Sequence, residues 1–236
     1  MTITLTPRLQ AVAQWVPAGC RFADIGTDHA YLPIWLIQHG VISHAIAGDL
    51  REGPLEHART TAARCSLTDA MDFRLSDGLQ GLKPWEADCV AIAGMGGEAI
   101  RSILAAAPWT KEHTRLILQP QTNLPQLRSW LTEAGYQIQA DRCIREEGRW
   151  YTVLLVSGGA DRTAWTPGTL LAGTPAQWAP SGCRPEHLRF LLRRTRQQLD
   201  GLRQAERPDE RRMAELTQAV SELEGFLKTW TEEDAE

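Results

Sequence analysis

The sequence predicts an α/β protein with a mostly parallel seven-stranded sheet containing one antiparallel strand, followed by an antiparallel helical hairpin (coiled coil). Three patterns predict it. Short apolar runs alternate with helical stretches from about residue 20 to 156, only Glu146-Glu147-Gly148 separates the last two runs, and the tail carries two leucine-rich stripes. Alternating β and α at this spacing implies parallel strands with helices on both faces of the sheet. A tight turn instead joins two strands as a hairpin, which places one antiparallel strand at the end of the sheet.

In chain order, strands are expected at 21–26, 45–50, 71–75, 88–94, 115–119, 136–144 and 150–156. Helical patterns fall between the first five and after the fifth, at 30–39, 54–65, 98–106 and 124–133. Residues 158–184 are rich in Gly, Pro, Ser and Thr without a clear period, and read as a linker or surface loop. Leu188, Leu192, Thr195, Leu199 and Leu202 then form one stripe. After the breaker Pro208-Asp209, a second stripe runs through Met213, Leu216, Val220, Leu223, Leu227 and Trp230. Two helices of about 22 residues, each about 33 Å long, fit this pattern. The expected divisions are therefore a sheet domain over 1–157, the linker over 158–184 and the hairpin over 185–236.

A chain of 236 residues suits one catalytic domain plus an appendage. Its net charge of −4 does not mark it as a nucleic-acid binder, so charge has to be read region by region. Five scattered cysteines (Cys20, Cys65, Cys89, Cys143, Cys183) include no C-x-x-C pair, which argues against a disulfide framework or zinc ribbon. The start lacks a basic segment followed by an apolar stretch, and no apolar run is long enough for a membrane span. A cytoplasmic protein is expected.

The first strand runs into Ala23-Asp24-Ile25-Gly26-Thr27-Asp28-His29-Ala30. A glycine where a parallel strand turns into a helix lets a ligand approach the backbone. The dinucleotide fingerprint G-x-G-x-x-G is broken here, because Asp28 fills the second glycine position and would repel a pyrophosphate. An acidic loop suits S-adenosyl-L-methionine, which carries a cationic sulfonium and no phosphate. Asp49 ends the second strand, 23 positions after Gly26, where a carboxylate can accept hydrogen bonds from two ribose hydroxyls. Asp77-Gly78 follows the third strand and could take an adenine amino group; Gly94-Met95-Gly96-Gly97 follows the fourth. A lone aspartate at a strand end is often a cap or turn former. Four such places at successive strand ends are harder to explain that way.

The segments DIGTDHAYLP, AGDLREGPL, SDGL, IAGMGG and LILQPQTNLPQLRSWL closely resemble the bacterial tRNA (adenine-22, N1)-methyltransferases, from Thr6-Pro7-Arg8-Leu9 to about Val156. The resemblance implies a Rossmann-like class I methyltransferase fold with a helical coiled-coil domain after it, S-adenosyl-L-methionine as cofactor and tRNA as partner. It implies cofactor contacts from Asp24, Gly26, Asp49, Asp77, Gly78, Gly94, Met95 and Gly96. Asp49 stands where the family usually has Glu, Gln121 where it usually has Asn, and residues 165–178 resemble the family's connecting region poorly.

Adenine N1 is its own nucleophile, so the chemistry needs alignment and an acceptor for the exocyclic amine as the ring becomes cationic. Asp28 is the candidate acceptor, His29 the alternative or a base-orienting group, and Tyr31 a stacking platform. Asp28 as a helix cap or as a contact to the cofactor's methionine moiety remains open at this point, as does methylation of another acceptor or a non-catalytic RNA-binding role. No metal is expected, and the chain is expected to be a monomer or weak dimer. In the tail, Arg189, Arg193, Arg196, Arg203 and Arg207 recur at 4-3-7-4 spacing, with Asp200 in the gap. On one helix face this is a row about 27 Å long that can flank the cleft and take tRNA phosphates. The competing reading pairs these arginines with Glu215, Glu222 and Glu224.

Overall fold

The computed structural model describes residues 1–233; the last three residues of the expected 185–236 division lie outside the described residues. The strands are β1 (Phe22–Ile25), β2 (Ala45–Asp49), β3 (Met71–Leu75), β4 (Cys89–Gly96), β5 (Arg115–Thr122), β6 (Tyr136–Glu146) and β7 (Arg149–Gly158). They form one sheet in the order β3-β2-β1-β4-β5-β7-β6. The pairs among the first five strands are parallel, and β7 is antiparallel to both β5 and β6. The antiparallel strand is therefore not the end strand that the short turn suggested. It threads between β5 and β6, and β6 takes the edge. A hairpin fixes which strands are neighbours but leaves open which of the two meets the older sheet.

The helices are α1 (Pro7–Ala13), α2 (Tyr31–Gln38), α3 (Glu52–Arg64), α4 (Gly97–Ala105), α5 (Leu124–Glu133), α6 (Pro167–Ala172), α7 (Arg184–Arg203) and α8 (Glu210–Glu233). Successive strand residues point to opposite faces, so the sheet feeds two cores. Phe22, Ala45, Ala91 and Ile117 join buried residues of α1, α2 and α3 on one side. Ala23, Ile46, Val90 and Leu118 join Ile100 and Leu104 of α4 and Leu127 and Leu131 of α5 on the other. Trp109 and Trp130 pack at the margin of the second core, and Cys89 and Cys143 are buried in strands.

α1 starts at Pro7, capped by the Thr6 hydroxyl, and drops Arg8 beside the carboxyl ends of β4 and β5. The segment expected as a linker or loop carries α6, which opens with a reciprocal Thr166–Thr169 capping box and buries Ala172. α7 and α8 fold back on each other around Leu188, Leu192 and Leu223, with Arg196 paired to Glu224 across the hairpin. The hairpin is tied to the sheet by a buried charge cluster. Asp141 of β6 accepts from Arg128 of α5 and, at 2.8 Å, from Arg184 at the start of α7.

Candidate functional site

The carboxyl ends of β1, β2 and β4 and the loop after β3 surround a cleft of about 570 Å³, within the range typical of small-molecule sites. Gly26, Asp28, Asp49, Asp77, Gly78, Gly94 and Met95 all line it. Seven residues singled out from four separate strand ends thus share one wall-to-wall space. Its carboxylates Asp28, Asp49 and Asp77 face a single guanidinium, Arg51. That balance disfavours a pyrophosphate and suits a cation.

Gly26, just after β1, and Gly94, at a register shift inside β4, adopt φ of +77° and +80°, a region side chains with a Cβ avoid. The run from Gly94 to Gly96 is thus the irregular end of β4 and not a loop after it. At Gly26 a Cβ would clash with Met95 Cε, so the loop after β1 touches the end of β4. Asp49 is buried, and its Oδ1 accepts from the Arg51 backbone N–H at 3.0 Å. Among the described residues its Oδ2 has no hydrogen-bond partner, leaving an acceptor on the cleft wall. Ala99 and Ile103 of α4 and Ala106, which follows its last turn, supply an apolar wall that sequence motifs did not mark; their 4-3 spacing was the available signal.

Two residues expected at the cofactor lie off the cleft wall. Asp24 is buried beneath the loop, where its carboxylate accepts from Thr27 Oγ1 at 2.8 Å. Burial, chiefly, and then the nearby Asp49 charge push its pKa up to about 6, against the lowering effect of the Thr27 bond. Gly96 caps the start of α4, and a Cβ there would come 3.1 Å from Thr122 Oγ1. Its neighbour Gly97 would press on Thr122 and Asn123 backbone at 2.8 and 2.9 Å. The second half of the Gly94-Met95-Gly96-Gly97 run therefore seats α4 against β5.

Asp28 lines the cleft with a φ of +50°. It is not a helix cap: α2 begins at Tyr31, its N-cap is Ala30, and no side chain caps it. His29 and Tyr31 stand outside the cleft wall, with Asp28 Oδ1 3.9 Å from His29 Nε2. The His29 ring stacks on Tyr31 on one side (5.2 Å, 9°) and on His57 of α3 on the other (4.9 Å, 5°). His57 carried no sequence signal, because only the tertiary fold brings α3 over this loop. Asp28, His29 and His57 also place ligating atoms within 4.8 Å of one another.

The arginine row is placed differently from the expectation. Arg189, Arg193 and Arg196 line a separate shallow groove with Leu192 and Asp200. Arg196 pairs with Glu224 and Arg203 with Asp200, whereas Glu215 is taken by Arg211 and Arg212, and Glu222 by Thr166 and Gly168. Among the described residues, no carboxylate partners Arg189, Arg193 or Arg207. Arg207 lies beyond the end of α7, so the helical part of the row runs from 189 to 203, about 21 Å. At roughly 100° per residue the row lies about half a turn from the face of α7 that carries Phe190, Arg194 and Gln198. That face, and not the row, looks toward the sheet.

Comparison with known proteins gives a consistent picture. Residues 5–154 match the family model described as a methyltransferase domain. The chain is 38% identical over 174 residues to the tRNA (adenine(22)-N(1))-methyltransferase of Bacillus subtilis, covering 72% of each chain. The crystal structure of the Bacillus subtilis m1A22 tRNA methyltransferase TrmK superposes with a TM-score of 0.81 at 30% identity, over 95% of this chain and 99% of that one. A putative tRNA (m1A22) methyltransferase of Streptococcus pneumoniae, solved in complex with S-adenosyl-L-methionine, gives 0.77 at 30% identity, over 95% of this chain and 100% of that one.

Proposed function

From the premise that the chain belongs to the tRNA (adenine-22, N1)-methyltransferase family, we propose that it transfers a methyl group from S-adenosyl-L-methionine to N1 of adenine 22 in tRNA. The observation that carries the cofactor half is the cleft itself: glycine-turned backbone and three carboxylates, one of them the buried Asp49 with an uncommitted oxygen, at the strand ends where α/β sheets bind ligands. The likeness to TrmK spans both sheet and hairpin, which supports tRNA as the acceptor.

When bound, S-adenosyl-L-methionine supplies an electrophilic methyl already activated by its sulfonium charge. Asp49 would accept from the ribose hydroxyls, Asp77 from the adenine amine of the cofactor, and the backbone at Gly26 and Gly94 would allow close approach. Asp24 would act from below, holding Thr27 and so the loop. Asp28, at the cleft mouth, would accept from the exocyclic amine of the target base as the ring gains positive charge. Tyr31, stacked on His29, offers a platform at the same mouth. A target base paired in the tRNA would have to be exposed before its N1 could reach the cleft.

The phosphate contacts we assign are Arg189, Arg193 and Arg207, which have no carboxylate partner among the described residues, with Arg196 and Arg203 partly neutralised by their acidic neighbours. We infer the divisions 1–157, 158–184 and 185–236, a monomer or weak dimer in the cytoplasm, and a reaction that needs no metal. No helix among the described residues is long and apolar enough to cross a membrane. The test is incubation of the protein with labelled S-adenosyl-L-methionine and unmodified tRNA, with and without a chelator, followed by nucleoside analysis and by reverse transcription, which stops at an N1-methylated adenine and so locates it. N1-methyladenosine at position 22 is expected at equal rates in both arms. Label in another nucleoside would overturn the acceptor, and a chelator-sensitive rate would implicate Asp28, His29 and His57 as ligands.

A further inference from the structure

A second cleft, of about 470 Å³, opens between the carboxyl end of β5, the start of β7 and the sheet-facing side of α7. It adjoins the first. A Cβ at Gly94 would lie 3.7 Å from an Arg8 guanidinium nitrogen and 3.8 Å from Gln121 Nε2, and Gln121 belongs to the second cleft's wall. Arg8 bridges the two: it donates to Gln119 Oε1 at 2.9 Å and lies 5.7 Å from the ring centroid of Tyr151, another wall residue.

The chemistry of this wall is that of a site for unpaired nucleic acid. Trp150 meets His187 at 5.1 Å and Phe190 at 6.1 Å, with interplanar angles of 33° and 36°. The rings are tilted and not stacked face to face, and all three line the cleft. Arg194, exposed and without a carboxylate partner among the described residues, lies 5.7 Å from the Phe190 centroid. Gln121, Gln126 and Gln198 line the cleft with side-chain amides that make no hydrogen bond within the described residues. His187 is 4% exposed, and its Nδ1 has no partner. Burial, chiefly, and the neighbouring Arg184 lower its pKa to about 4, so at neutral pH it is an uncharged imidazole. Among the described residues, no carboxylate lines the cleft. Aromatic faces, amides able to read a base edge and a flanking guanidinium are the groups that recognise splayed-out bases of RNA.

We propose that this cleft is a second base pocket, which holds the unpaired nucleobase next to the target adenine against Trp150 and Phe190, with Arg194 on its phosphate. The proposal rests on the tRNA reading above and adds a specificity element to it. The shared rim at Gly94 and Gln121 makes the two pockets neighbours, so the neighbour's capture would draw the target toward the first cleft. It also gives a role to a face of α7 that lies away from the arginine row.

The test uses the full chain and tRNAs with an abasic nucleotide immediately 5′ or 3′ of the target adenine. Wild type is expected to bind one of the two abasic tRNAs at least about fivefold more weakly than intact tRNA. Phe190→Leu and the exposed-site variant Gln198→Ala are expected to weaken intact tRNA similarly, to cost little further on that abasic tRNA, and to leave S-adenosyl-L-methionine affinity unchanged. Arg194→Ala, whose phosphate the abasic nucleotide keeps, is expected to weaken both tRNAs by a similar factor. Multiplying losses for Phe190→Leu and Gln198→Ala on the abasic tRNA, or tight binding of both abasic tRNAs by wild type, overturn the pocket. Should Phe190→Leu fold poorly, Gln198→Ala carries the same test. Failure of wild type to methylate intact tRNA would instead remove the tRNA reading itself; methylation of intact tRNA by variants of undiminished affinity removes only the second pocket.

Discussion

At the scale of single residues, three aspartates at the carboxyl ends of β1 and β2 are set to different tasks by their surroundings. Asp49 is buried with one oxygen bonded and the other open to the cleft, so Asp49→Ala should remove two hydrogen bonds to the cofactor while leaving the sheet intact. A hydrogen bond to a charged group contributes about 1.5–3 kcal/mol, so calorimetric titration should show at least a tenfold loss of S-adenosyl-L-methionine affinity. Unchanged affinity would refute the assignment. Asp28 makes no cap and stands at the mouth, so Asp28→Asn should lower single-turnover methylation far more than it lowers tRNA affinity. A rate within about twofold of wild type would leave Asp28 a binding residue only.

Asp24 behaves oppositely, as a buried carboxylate that the fold would rather keep neutral. Its pKa, raised to about 6, means the native state holds the proton that the unfolded chain releases near pH 4. Native stability therefore falls as pH rises from about 4 through 6, by up to about 3 kcal/mol at neutrality. Asp24→Asn can still accept from Thr27, and should gain stability over wild type at pH 7.5 but not at pH 4. Urea unfolding at both pH values would decide it; an equal difference at the two would show that ionisation is not the cause.

At the scale of elements, the hairpin is held to the sheet by buried charge. Arg128, Arg184 and Asp141 are each about 1% exposed, two cations sharing one carboxylate. Desolvation lowers the Arg128 pKa, and Asp141 works against that. Arg184 spans the junction further, donating to the Asp141 carbonyl at 3.0 Å and packing 5.0 Å from the Trp178 ring. Removing the shared carboxylate strands two buried guanidinium groups, so Asp141→Ala should destabilise the protein by about 3–5 kcal/mol. Arg184→Met leaves the Arg128–Asp141 pair intact and should cost distinctly less. Equal losses in urea would mean that the cluster's charge balance does not set its stability.

At the scale of the molecule, the net charge of −4 coexists with a local excess of arginine on α7. If Arg189 and Arg193 face phosphates, changing Arg189, Arg193 and Arg196 together to Ala should weaken tRNA binding and flatten the logarithmic salt dependence by about 2–3 slope units. S-adenosyl-L-methionine affinity should stay constant, because none of the three lines its cleft. An unaltered slope with a lowered melting point would mean that Arg196–Glu224 and its neighbours serve the hairpin alone.

The sequence by itself determined whatever depends on local periodicity and backbone punctuation. The strands, the two long helices and the cleft residues Gly26, Asp49, Asp77 and Gly94 are legible because turns at strand ends require particular residues at particular positions. A parallel sheet then has to bring those ends to one edge. What needed tertiary structure was every relation between distant segments of like propensity. Strand pairing energies hardly distinguish β6 from β7 as the neighbour of β5, so the order β5-β7-β6 follows from how the whole sheet closes over α1 and α5. Gly96 belongs by spacing to a ligand-binding run, and only the fold brings Thr122 Oγ1 to within 3.1 Å of where its Cβ would be. His57, Arg8 and Arg194 share no motif with the groups they adjoin. The face of α7 that meets the sheet was set by the buried Asp141–Arg184 contact at its first turn, because that contact fixes the helix's rotation, and a helical stripe read from sequence carries no such reference.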